Sequence, residues 1–235
     1  MASLDGFIKA CMEGDVVLAR AALEAGLSPN LEADVEYGTK PLHWAADNGH
    51  ATVIGLLIEG RADIHAVDKQ GNTALHAAAC NGDAAAISTL LSSRADVAAA
   101  DSNRWTVLHA AACCGHRAAI AALIEAGADV RARDIQEGTP LHVAGHYRQP
   151  ASIRALLEAK ADPAAKNNED KTPLFLARFS DVPSEHEDAS VALLEEAQAA
   201  ARQKLAALGQ RLEEKKRSQE RGWLRSLPAL ICCRD

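Results

Sequence analysis

The stretch Gly71-Asn72-Thr73-Ala74-Leu75-His76-Ala77-Ala78-Ala79 is followed by Gly82-Asp83, an apolar run to Leu91, and Arg94-Ala95-Asp96. Its reading decides the fold, because it recurs. His43, His76, His109 and His142 stand 33 residues apart, and Phe175 continues the series. Asp63, Asp96, Asp129 and Asp162 keep the same period, as do Asp68, Asp101, Asp134 and Asn167. The pairs Leu56-Leu57, Leu90-Leu91 and Leu156-Leu157 fall at nearly equal offsets, with Leu123-Ile124 between them. A fixed period of this length means one supersecondary unit stacked on its own copies, since a single unit cannot bury its apolar face alone.

The local chemistry of the unit is helical. In Thr139-Pro140 the threonine caps a helix and the proline is pre-set for its first position. The small run Ala77-Ala78-Ala79 lets a first helix lie close to its neighbour. Gly49, Gly82 and Gly115 fall where a left-handed residue ends that helix before a second one begins. The unit resembles the ankyrin repeat, whose pattern is T-P-L-H-x-A, a second helix and a G-A-D turn. Thr139-Pro140-Leu141-His142 and Gly127-Ala128-Asp129 are close matches. The resemblance runs from about Ser3 to Leu194. It implies an all-α ankyrin-repeat solenoid, each unit a β-turn finger plus two antiparallel helices, with the Asp before each finger forming a local side-chain turn.

Six units are expected. The first, about Ser3 to Asn30, keeps Gly14-Asp15 and Ala21-Ala22-Leu23, and its phase requires about two extra residues near Glu32 to Glu36. Units two to five are regular. The sixth opens with Thr172-Pro173-Leu174-Phe175, inserts about four residues around Pro183 and resumes at Ala189. End units depart from the pattern because their outer faces meet water. Arg104 and Glu137 replace the usual finger glycine, so distorted turns are expected there. Arg148 stands where Gly49, Gly82 and Gly115 stand elsewhere, so a different turn is expected after Tyr147.

From Ala189 to about Gln219 there is no proline and only one glycine, Gly209. This marks an extended C-terminal helix, with Leu194, Ala201, Leu205, Leu208 and Leu212 along one face. The expected division is a solenoid over 1–194 and a helical extension with a basic and apolar tail over 195–235. Before Glu195 there are 16 basic and 26 acidic residues; from Glu195 onward there are 9 and 6. The acidic body argues against nucleic acid as a partner, because phosphate binding needs a basic face. The tail combines Lys215-Lys216-Arg217, Arg221 and Arg225 with Trp223, Leu227 and Ile231. It suits either a peripheral membrane contact, with lipidation of Cys232 or Cys233, or a cap on the last repeat.

Of the 235 residues, 48% are hydrophobic and 24% charged, the balance of a globular chain. No apolar run approaches the ~18 residues of a membrane span. Met1-Ala2-Ser3-Leu4-Asp5-Gly6 shows no secretory pattern. Six cysteines without such a signal imply reduced thiols in a cytoplasmic protein.

The periodic histidines invite a metal reading, but one copy per unit is what a stacking role requires. Stacked copies about 10 Å apart cannot share one ion. His109, Cys113, Cys114 and His116 lie close in sequence, yet Cys80 occupies the same unit position as Cys113 without such a set. A Cys80–Cys113 disulfide is not expected, because bridged Cα atoms lie within about 7 Å. No phosphate loop, nucleophile elbow or His-Glu metal motif appears. No enzyme, no cofactor and no metal is therefore expected.

The resemblance places partner contacts on the fingers and the exposed ends of the first helices. Carried over unit by unit, these are Tyr37, Asp47 and Asn48; then Lys69, Gln70, Asn72, Cys80 and Asn81. The next units give Ser102, Asn103, Trp105, Cys113 and Cys114; then Ile135, Gln136, His146 and Tyr147; and finally Phe179. Four of the eight aromatics fall on these positions, and exposed rings are common interface anchors. The expected function is protein binding as a scaffold or adaptor. The alternative is a structural subunit docked by its C-terminal helix, either a monomer otherwise or part of a hetero-complex.

Overall fold

The computed structural model describes residues 3–34, 36–182 and 187–226. Among them it holds twelve helices and isolated bridges in place of strands. The helices come in pairs. They are α1 (Leu4–Glu13) and α2 (Val16–Glu24), α3 (Pro41–Asp47) and α4 (Ala51–Glu59), α5 (Ala74–Asn81) and α6 (Ala84–Ser92). They continue with α7 (Val107–Cys114) and α8 (Arg117–Glu125), α9 (Pro140–His146) and α10 (Pro150–Glu158), then α11 (Pro173–Phe179) and α12 (Glu187–Ser226). The chain forms two compact units, residues 1–195 and 196–235.

In the first unit the first helices pack in a row, α1 on α3, α3 on α5, α5 on α7, α7 on α9 and α9 on α11. The second helices form a parallel row from α2 to α10. Ala45, Ala78, Ala111, Ala144 and Ala177 are fully buried in one column, where a methyl group is all that close helix packing leaves room for. Gly145 sits in the next column, and a Cβ there would come within 2.5 Å of the Pro173 carbonyl oxygen. Leu42, Leu75, Leu108 and Leu141 meet Ile54, Ile87, Ile120 and Ile153 between the rows, all buried. The apolar periodicity of the sequence is therefore the core.

The histidine column ties each repeat to the next. Nδ1 of His43, His76, His109 and His142 accepts the backbone N–H three residues earlier, at 3.1 to 3.2 Å. Nε2 donates to the carbonyl of Asn72, Trp105, Gly138 or Lys171 in the following finger, at 3.0 to 3.3 Å. One neutral tautomer satisfies both bonds, since the amide must donate and the carbonyl must accept. Burial lowers the pKa of all four rings. Phe175 occupies this column in the last repeat, where no finger follows. It is partly exposed and packs on Phe179 at 4.7 Å.

The fingers are joined by backbone bonds as well. Lys69 N–H donates to Tyr37, Ser102 to Gln70, Ile135 to Asn103 and Asn168 to Gln136, at 2.9 to 3.0 Å. The two extra residues of the first finger lie between Asn30 and Gly38: Gly14 and Gly49 are 35 apart, where later equivalents are 33 apart.

Two expectations from the sequence are corrected. The turns at Arg104 and Glu137 are not distorted. Both residues take φ 59, the left-handed conformation that Gly71 takes with φ 89. They also keep its bond, donating to Asp101 and Asp134 as Gly71 donates to Asp68. Arg148 likewise adopts φ 49 and preserves the interhelix turn. Its buried guanidinium donates to the carbonyls of Ala177, Val182 and Ser180 at 2.9 to 3.0 Å. These bonds satisfy groups at the end of α11 that a helix leaves open, and they offset the strain of a non-glycine residue there.

The insertion around Pro183 lies outside the described residues. The helix after it begins at Glu187 and runs for 40 residues, the extended C-terminal helix. On it, Leu194 is buried while Leu205, Leu208 and Leu212 are exposed. No described helix is long and apolar enough to cross a membrane. Cys232 and Cys233 lie outside the described residues, as do the side chains of the apolar tail.

Candidate interaction surface

Two clefts of about 510 and 520 Å³ open between the fingers and the first helices. Trp105 and Asn103 line both, so Trp105 stands on the ridge between them. Its placement follows from its finger. Asp101 Oδ1 accepts the Trp105 N–H at 2.7 Å, and His76 holds the Trp105 carbonyl. The ring stacks with His109 at 6.2 Å between centroids, and the residue is half exposed. An aromatic side chain fixed from behind is pre-organised for a partner, because little rotamer freedom remains to be lost.

The first cleft gathers Asp47, Gln70, Asn72 and Cys80 with Trp105. Asn72 is held by Asp68, whose Oδ1 also accepts the Gln70 N–H at 2.9 Å. The second cleft gathers Ile135, Gln136, His146 and Tyr147. His146 and Tyr147 meet edge to face at 5.0 Å. Tyr147 therefore faces this cleft.

Tyr37, Asn48, Lys69, Asn81, Ser102 and Phe179 line neither cleft. Tyr37, Lys69 and Ser102 lie in the joined row of fingers. Ser102 also turns its hydroxyl back to the Gln70 carbonyl at 2.7 Å. Asn48 folds its amide onto Trp44 at 2.9 Å. Asn81 is exposed at the end of α5, and Phe179 is exposed on the last repeat.

Trp44 lines the first cleft and was not among the residues expected there. The signal was present in the sequence: Trp44 interrupts a column that continues as Ala77 and Ala110. Its indole N–H is buried and has no hydrogen-bond partner among the described residues. The first cleft thus lies between two indole rings, with the Asp47 carboxylate exposed at its edge. Burial and then the neighbouring Cys114 raise the Asp47 pKa.

Beside Asp47 three thiols converge. Cys114 Sγ lies 3.2 Å from Cys80 Sγ. The three thiols share hydrogen bonds and titrate as one group: the bonding favours a single thiolate among them, while burial and that charge push the other thiols up. Tyr147 bonds Cys113 from the next repeat, and its own pKa is raised, first by burial. Among the described residues no group of three His, Cys, Asp or Glu side chains has a geometry that would hold a metal ion.

The stacked helix pairs and their joined fingers define a repeat solenoid. Models of the ankyrin repeat match residues 23–78 (many copies), 52–134 (three copies) and 137–168 (single repeat). The chain belongs to the ankyrin-repeat family. Repeats of this family are generally protein–protein interaction modules.

Proposed function

We propose that this protein is a scaffold or adaptor whose partner seats on the Trp105 ridge and the two clefts beside it. The observation that carries this reading is the pre-organised ring. Asp101 and His76 hold the Trp105 backbone, its ring stacks on His109, and the residue stays half exposed between two clefts. Trp44 and Tyr147 supply further aromatic surface on either side, and Asp47, Gln70, Asn72, Asn103 and Gln136 supply a polar surround. This combination of aromatic anchors within a polar rim is the anatomy of an interface centre.

Affinity capture of the tagged chain, with mass spectrometry, identifies the partner. Trp105→Ala then weakens that complex by about 2 kcal/mol or more, as anchor truncations do, and leaves the melting temperature nearly unchanged. A large loss of stability with unchanged binding would assign Trp105 to packing alone.

A second reading rests on α12, where Leu205, Leu208 and Leu212 are exposed. In that reading the chain is a permanent subunit, docked through this helix. Size-exclusion of native extract separates the two: an adaptor runs partly free, a subunit only within its complex.

A further inference from the structure

The thiols beside the first cleft are not required by packing. The equivalent positions in neighbouring repeats carry Asp47 and His146 in the Cys80 and Cys113 column, and Asn48, Asn81 and Tyr147 in the Cys114 column. None of the cysteines in this group is fully buried: Cys80 is exposed, and Cys113 and Cys114 are half-buried. By contrast Cys11 is fully buried in the first repeat, and burial pushes its thiol up to about 12.

Cys80 lies in the last turn of α5, and Cys114 ends α7, which packs beside it. Their sulfurs are 3.2 Å apart across the boundary of repeats three and four. A disulfide is about 2.05 Å long, so bonding shortens this gap by about 1.2 Å. The thiolate is the reactive form of a cysteine, and the Cys114 sulfur is in contact with Cys80 across the repeat boundary.

We propose that Cys80 and Cys114 form a reversible disulfide that staples repeats three and four beside the first cleft, with a hydroperoxide as the oxidant. The Cys114 thiolate attacks one peroxide oxygen. The O–O bond breaks, leaving a sulfenic acid on Cys114, and the departing hydroxide takes up a proton. The Cys80 sulfur then attacks Cys114 Sγ. The S–O bond breaks, and hydroxide leaves with the Cys80 proton as water. Two thiols give up two electrons and two protons, and hydrogen peroxide becomes two waters. A dithiol reverses the bridge by exchange.

The chemistry stands on the sulfur geometry alone. Only its consequence rests on the interaction reading: the bridge fixes the helix ends beside the cleft and changes the partner it accepts.

The test uses the full chain, reduced with dithiothreitol, desalted, treated with near-stoichiometric hydrogen peroxide and quenched with N-ethylmaleimide. Trypsin releases Cys80 on residues 70–94 and both Cys113 and Cys114 on residues 105–117. The expected product is these two peptides joined and lighter by two hydrogens, with fragmentation placing the link at Cys114. Cys113→Ser keeps the link, Cys80→Ser and Cys114→Ser abolish it, and dithiothreitol reverses it. A bridge confined to residues 105–117, a link that survives in Cys114→Ser, or separate sulfinic acids without any link would each overturn the proposal. Loss of partner binding by Trp105→Ala is read in a different assay, so the two readings fail independently.

Discussion

Replacing His109 with alanine removes a ring that is fully buried and bonded at both nitrogens. Two backbone groups lose their partners. The Thr106 N–H at the start of α7 loses its acceptor at 3.1 Å, and the Gly138 carbonyl of the next finger loses its donor at 3.3 Å. Gly138 is itself buried, so water does not readily replace the imidazole there. An orphaned buried polar group costs about 1–3 kcal/mol, and two of them place the loss at about 2–6 kcal/mol. Urea unfolding followed by circular dichroism measures it as a lower midpoint. The change lies at the contact between repeats four and five, so a reduced slope would show the array parting there. His65→Ala, an exposed control, stays within about 0.5 kcal/mol of the parent. A His109→Ala loss no greater than that of the control would refute the assignment of this column as the tie between repeats.

Two further outcomes follow from the same geometry. Burial lowers all four column histidines below the ordinary 6.5, so the unfolded chain binds more protons as pH falls through that value. Their contribution is complete above about pH 6.5 and is lost as pH falls through the native values, since a proton on Nδ1 faces a backbone N–H. Melting temperatures should fall as pH drops below about 6.5, less steeply in His109→Ala; no fall there would count against the neutral tautomer. At Arg148, alanine loses the guanidinium bonds and keeps the strain of φ 49, whereas glycine loses the bonds and relieves the strain. Arg148→Ala should therefore be less stable than Arg148→Gly by about 1 kcal/mol, with both below the parent. Urea midpoints that rank alanine at or above glycine would show that the turn is unstrained.

The period of 33, read from His43 to His142, was enough to establish the units, the helix pairs and the apolar core. These features depend on local propensity and on which residues are equivalent from one copy to the next. The histidine role was legible for the same reason, as a polar residue repeated once per unit. Trp44 was legible only as an exception in an alanine column. Most of the bonds between repeats do not run at the period. Histidine reaches a carbonyl 29 residues on, as His109 reaches Gly138. A finger amide reaches back 32, as Ile135 reaches Asn103. Cys80 meets Cys114 at 34. Each offset is set by the shift and rotation with which one repeat lies on the next, and that geometry comes from packing the helices in three dimensions. For the same reason the period pairs Cys80 with its copy Cys113, although the neighbouring Cys114 is the residue whose sulfur Cys80 meets. Arg148 likewise reads as a missing glycine until α11 is in place to present the carbonyls that its guanidinium holds.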